Sequence, residues 1–168
     1  EAGVVAPSDT APVIVDDSGG GGATEPTETP KSASRNYVDY LVGKGYLPHV
    51  ASAMVGNAYH ESGGLNPEIL GDKGRSYGLF QFHEAGEQPA YRQWAKENNR
   101  NPSDPYAQMD FVHERLQGPY ASTLEAMNKS PSAADAALHF MRGYERPKEG
   151  PTSGANARVA YASMLESG

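Results

Sequence analysis

There is no cysteine among the 168 residues, which excludes disulfide scaffolds, zinc ribbons, iron–sulfur ligation and every thiol mechanism. No apolar run reaches the roughly 18 residues that a membrane-spanning helix needs, so no membrane span is expected. The N-terminus lacks the basic-then-apolar pattern of a signal peptide. Basic residues are in deficit: 14 Lys and Arg stand against 21 Asp and Glu, a formal charge of −7 with histidines neutral. Nucleic acid is therefore not expected as a partner, because phosphate contacts need clustered Lys and Arg. Neither a Gly-x-Ser-x-Gly elbow nor a phosphate loop occurs. His60-Glu61 begins like the His-Glu-x-x-His zinc motif, but Gly64 stands where the second histidine is required. The histidines at 49, 60, 83, 113 and 139 lack ligand spacing, so neither metal nor cofactor is expected.

What is present divides in two. Residues 1–33 hold 16 Gly, Pro, Ser or Thr and no aromatic, including Gly19-Gly20-Gly21-Gly22 and Thr24-Glu25-Pro26-Thr27. Such a stretch buries too little apolar area to offset its ordering entropy and reads as a flexible linker or tail. Pro12-Val13-Ile14-Val15 is its one candidate strand. The tail carries six acids and one lysine, leaving residues 34–168 with 15 acids against 13 bases, a net −2. Most of the acidity belongs to the tail. Without an initiator Met, the chain reads as a piece of a longer protein.

Residues 34–168 read as one mainly α domain. Ser34 is the expected cap of a first helix through Val42, ending at Gly43 and Gly45. Leu47, Val50, Ala51, Met54, Val55 and Ala58 recur at helical spacing, predicting a second helix from Pro48 to His60. From Leu65 to His83 the chain is rich in Gly, Asn, Pro and Asp, with at most a short hairpin. Helical patterns resume over Gln88–Asn99, Asp104–Gln117, Tyr120–Asn128, Ser130–Gly143 and Ser153–Glu166. Ser130-Pro131 looks like a cap followed by a first-turn proline.

The glycine-rich interruption is where chemistry is expected. The second helix delivers Glu61 at its C-terminal end, where the helix dipole disfavours an ionised acid. Tyr59, Leu65 and Phe80 would desolvate it further. Both effects keep a glutamate protonated, as a general acid requires. On position alone, a surface glutamate beside a glycine stop is an equal reading.

Five fragments in order change that balance: Glu61-Ser62-Gly63, Asn66-Pro67, Gly71-Asp72, Gly78-Leu79-Phe80-Gln81 and Tyr144-Glu145-Arg146-Pro147. Together, over about 47–165, they resemble the lysozyme-like superfamily, and most of all the lysozyme-like domains of bacteriophage tail proteins. The resemblance implies a helical lysozyme-like fold with a Gly-rich loop or hairpin beside the cleft. It also implies cleavage of the β-1,4 bond between N-acetylmuramic acid and N-acetylglucosamine in bacterial peptidoglycan, by a muramidase or a lytic transglycosylase. Glu61 matches the acid and Gln81 the residue lining the cleft. Gly78 would let backbone approach substrate, and Ser62 and Ser76 match hydroxyls near the acid. Ser62 either tunes Glu61 or caps the turn. Tyr144 and Glu145 are expected to clamp the last helix, with sugar stacking by Tyr144 a lesser role. Tyr91 and Trp94 read as core packing.

Hydrolysis with inversion needs a second carboxylate roughly 6.5–9.5 Å from the acid. Asp72 is the candidate, against the bland reading of a turn aspartate; Glu84 is weaker. A transglycosylase needs none, because the sugar's own 6-hydroxyl attacks. A glycan-binding or structural virion module that lost turnover is the alternative function, and the retained Glu61 argues for the enzyme. An acidic chain gains no steering toward anionic cell wall. Attachment through residues 1–33 to a tail or internal virion protein would supply the missing local concentration.

Overall fold

The computed structural model describes residues 29–147, 150 and 153–168. Val13-Ile14-Val15 lies outside them. The described residues form seven α-helices: α1 (Pro30–Gly43), α2 (Pro48–Ser62), α3 (Glu87–Glu97), α4 (Pro105–Gln117), α5 (Ala121–Lys129), α6 (Ala133–Phe140) and α7 (Ala155–Ser167). None is long and apolar enough to cross a membrane. The fold is mainly α and lysozyme-like, as expected, with one small sheet.

Helix starts follow capping chemistry, and two caps differ from expectation. Thr29 opens α1, its hydroxyl accepting from the Ser32 amide at 3.1 Å with Pro30 in the first turn. Ser34 is instead buried inside the helix, 2.6 Å from the Tyr161 hydroxyl. Ser132, not Ser130, caps α6 by accepting from the Asp135 amide. Ser130 ends the preceding helix α5, its hydroxyl donating to Ala126 O at 2.9 Å. Asp104 caps α4 in the expected way, accepting from the Tyr106 amide at 2.8 Å ahead of Pro105.

Helix α2 is the axis of the domain, buried without a break from Val50 to Ala58. A helix enclosed on all sides needs small residues so that neighbours can approach, and α2 supplies Ala51, Ser52, Ala53, Gly56 and Ala58. The closest approach is at Gly56, where a Cβ would stand 2.9 Å from the Ala162 backbone nitrogen of α7. Helices α6 and α1 cover other sides of α2.

The glycine-rich segment forms three antiparallel strands, β1 (Leu70–Gly71), β2 (Ser76–Tyr77) and β3 (Phe82–His83), in the order β1-β2-β3. Leu70 pairs with Tyr77 and Ser76 with His83. Strands of two residues cannot hold themselves together. Tyr77, Leu79, Phe80 and Phe82 therefore insert into the core. Gln108 of α4 pins the loop, its Oε1 accepting from Leu79 N and its Nε2 donating to Pro67 O, both at 2.8 Å.

Helix α6 does not run on to Gly143 as α-helix. It changes at Phe140 into a π-helical turn, Met141–Glu145, closed by Arg146 at φ 53°. The extra residue rotates Tyr144 and Glu145 off the helical register, a device common at functional sites. Glycine at 143 is required, because a Cβ there would collide with the Thr123 side chain of α5.

Candidate active site

Asn57 and Glu61 lie four residues apart on α2 and so share one face. Arg158 and Ala162 stand in the same relation on α7. The Gly56–Ala162 crossing sets these faces against each other and drops the Arg158 side chain beside both α2 residues. Arg158 Nη2 lies 2.6 Å from Glu61 Oε2, its Nη1 donates to Asn57 Oδ1 at 2.9 Å, and its Nε donates to Ser153 O at 3.1 Å. Its side chain is 2 % exposed and that of Glu61 16 %. Burial pushes the Glu61 carboxyl above the usual range, against the opposing pull of the Arg158 charge and hydrogen bond.

Glu145 stands on the π turn. Burial and the nearby Glu61 charge hold its carboxyl well above the usual range, with Arg158 opposing. Its Oε2 is sealed from solvent without a hydrogen-bond partner among the described residues. The same side chain lines a cleft of about 240 Å³ with Phe80, Gln81, His83, Tyr120 and Tyr144. One wall of the cleft is thus the loop and the other the π turn. A wider hollow of about 580 Å³ between α2 and α7, where Tyr59 and Tyr161 stack at 3.8 Å, is lined by no carboxyl.

The residues singled out from sequence fall into two groups. Gln81 lines the cleft, held at φ 53° while its Nε2 donates to Gly78 O at 2.9 Å. Gly71 is the glycine that makes room for it, since a Cβ there would collide with Gln81 Oε1. Tyr144 also lines the cleft but is buried, stacking on Phe140 and donating to Glu87 Oε1 at 3.2 Å. It clamps α3 and α6 rather than the last helix. Asp72, at φ 50° in the turn after β1, is 46 % exposed at its side chain and accepts from Arg75 Nη2 at 3.1 Å. His83 Nε2 lies 3.0 Å from its Oδ2. These two hydrogen bonds, the histidine's first, hold Asp72 below the usual carboxylate range.

Ser62, Ser76 and Gly78 face inward. Ser62 is fully buried, donating to Ala58 O and accepting from Leu65 N, both at 2.7 Å. It caps the turn, and its one proton is committed to Ala58 O. Ser76 is buried in β2. Gly78, at φ 84°, admits Gln108: a Cβ would stand 2.6 Å from Gln108 Oε1. His60 and His83 have separate surroundings. The His60 ring fills the place where a Cβ of Gly154 would be, and His83 engages Asp72.

Sequence reasoning missed Asn57 and Arg158 and gave Glu145 no charge partner. Asn57 did carry a signal: a polar residue one turn before Glu61 on an apolar helix asks for a buried partner. Arg158, among the alanines of α7, was the cation able to supply it.

The helices and the small sheet meet at the cleft, which Glu145 lines and Glu61 does not. The chain belongs to the phage tail lysozyme family, whose model matches residues 32–166. Membership makes it a glycosidase of the lysozyme class, degrading peptidoglycan in a bacteriophage context. No curated protein matches the chain.

Proposed function

We propose that this protein hydrolyses the β-1,4 bond between N-acetylmuramic acid and N-acetylglucosamine, with Glu61 as the general acid. The carrying observation is the buried Glu61 carboxyl, raised by desolvation and fixed through one oxygen by Arg158. A carboxyl so fixed presents its other oxygen in one orientation, and proton transfer depends on that geometry. Gln81, on the loop side of the cleft, offers its amide to the sugar. Asp72 is the second carboxylate, keeping the attacking water ionically oriented. Its support is that it stays ionised and that its partner His83 lines the same cleft as Glu145.

The acting form is virion-associated, delivered by the segment ahead of α1 attached to a tail or internal virion protein, for local penetration of the cell wall. Tethering raises the effective concentration of a domain whose charge gives no attraction to anionic wall polymers.

Glu61→Gln keeps the shape and removes the transferable proton. Lysis of purified cell walls should fall by roughly 10²–10⁴-fold with folding intact. Near-parental clearing by that variant would overturn the assignment. Mass spectrometry of the products decides the nucleophile: reducing ends mean water, and 1,6-anhydro ends mean the sugar's own 6-hydroxyl, in which case Asp72 is a turn residue.

A further inference from the structure

Two guanidiniums share the Tyr120 ring, Arg115 at 5.8 Å and Arg146 at 5.7 Å from its centroid. Arg115 grips the Glu87 carboxylate with two arms, Nε donating to Oε1 at 2.9 Å and Nη2 to Oε2 at 2.7 Å. Arg146 lines the same cleft as Glu87 but has no carboxylate among the described residues. Its one side-chain hydrogen bond there runs from Nε to Gly143 O at 3.0 Å, leaving Nη1 and Nη2 without an acceptor. A guanidinium presents its donors as a planar fork that matches a carboxylate.

We propose that Arg146 is a specificity-determining residue of the cleft, its two Nη groups taking a carboxylate carried on the glycan strand. The proposal rests on the reading of this cleft as the glycan site. A solvated arginine without a partner is ordinary, but three ties set this one apart. Its backbone closes the π turn at φ 53°, in the left-handed region that side chains disfavour. Nε is fixed to that turn, and the Tyr120 ring lies beside the head. The fork is thus placed before a ligand arrives, and a preplaced group loses less freedom on binding.

The other ionisable groups of the cleft leave the fork open. Glu87 is spent on Arg115 and on the Tyr144 hydroxyl. His83 is engaged by Asp72 and by the Ala85 amide, which donates to its Nδ1 at 3.0 Å. Glu145 precedes Arg146 in the chain, yet its Oε2 has no hydrogen-bond partner and so does not meet the fork. On a peptidoglycan strand the carboxylate has two sources. One is the 3-O-lactyl group of N-acetylmuramic acid where no peptide is attached. The other is the peptide, whose attachment turns the lactyl carboxyl into an amide. A strand of N-acetylglucosamine alone offers neither.

The test compares kcat/KM on soluble strands that are peptide-free, peptide-bearing, or peptide-free with the lactyl carboxyl converted to its methyl amide. The unsubstituted chain should favour a carboxylate form over the amide by roughly five- to tenfold, through KM with kcat unchanged. Preference for the peptide-free form assigns the lactyl group, and preference for the peptide-bearing form alone assigns the peptide. Arg146→Gln should cleave all three with equal efficiency. Arg146→Lys, a point charge without the fork, should keep a reduced preference, and added salt should shrink the parent's. Indifference of the unsubstituted chain, or a preference that survives in Arg146→Gln, would overturn the proposal. A binding measurement needs neither turnover nor a folded variant. The disaccharide N-acetylglucosaminyl-β-1,4-N-acetylmuramic acid, with and without peptide, lacks the scissile bond and is titrated into the ¹⁵N-arginine-labelled chain. One of the two should shift the Arg146 side-chain signals, and the methyl amide should not. Shifted Arg146 signals in a chain that cleaves no strand would sink the glycosidase reading alone; cleavage of all three forms alike, with Arg146 silent, would sink this inference alone.

Discussion

The α2–α7 crossing and the β1–β3 loop hold carboxyls in opposite electrostatic states. Glu61 at the crossing and Glu145 on the π turn beside it are desolvated and pushed upward. On the loop, Asp72 is open to solvent and pulled downward by His83 and Arg75. A short side chain with two hydrogen-bond donors in water stays charged; a carboxyl between packed helices keeps its proton unless a cation intervenes. An enzyme that must both donate a proton and hold an ionised carboxylate near one bond needs such contrasting environments. The backbone reflects the same division. The crossing is regular helix brought close by Gly56, whereas the loop relies on left-handed residues at Asp72, Lys73, Gly78 and Gln81.

The most disruptive test of this contrast is Arg158→Met. It leaves Glu61, Asn57 and the Ser153 carbonyl without their shared partner. Breaking a buried pair from one side costs about 3–5 kcal/mol, which urea unfolding should register at neutral pH. Gly56→Ala comes next. Its methyl would meet the Ala162 backbone, which cannot rotate away, and overpacking of this kind costs roughly 1–3 kcal/mol. The same assay should detect it, together with a loosened Glu61 and reduced turnover.

The third test uses pH and has opposite signs for the two regions. Glu145 is raised by burial first and by Glu61 second. Its contribution to stability is therefore complete below the unfolded carboxyl pKa and lost as pH rises toward its native value. Glu145→Gln should accordingly gain thermal stability over the parent as pH rises through that window, and match it in acid. Asp72 is lowered, so its contribution is present above the unfolded value and lost as pH falls through the native one. Asp72→Asn should produce the smallest change in melting temperature of the series, confined to pH above that window. Its larger consequence belongs to turnover: kcat should fall with KM unchanged if Asp72 orients water. Equal thermal shifts from the two variants at one pH would erase the distinction between the regions.

Much of this fold was legible in advance, for local reasons. Proline at the first turn, Asp104 as a cap, the apolar spacing of Leu47 to Ala58 and the glycine stop at 63 each act within a few residues of chain. Errors arose where two local signals competed. Thr29-Pro30 outranked Ser34, and Ser132 outranked Ser130, because a cap works only where the next residues are free to be helical. The glycines of the loop announced tight backbone, but their neighbours are protein groups: Gln81 sits over Gly71 and Gln108 over Gly78. A glycine that permits close approach does not say whether the approaching group is substrate or side chain. Ser62, buried with its proton donated to Ala58 O, illustrates the same ambiguity.

The sequence by itself determined a cysteine-free helical domain behind a Gly/Pro/Thr-rich segment, with one glutamate at the end of an apolar helix ahead of a glycine loop. Those features depend on propensity, capping and periodicity, which the chain expresses over one or two turns. Only the tertiary structure decided the electrostatic surroundings of that glutamate. Asn57 and Arg158 are 101 positions apart, and their meeting requires the α2–α7 crossing that Gly56 permits. Glu145 reaches the cleft from the π turn that follows α6. Burial and charge pairing are properties of several segments at once, and a proton's position is set by all of them together.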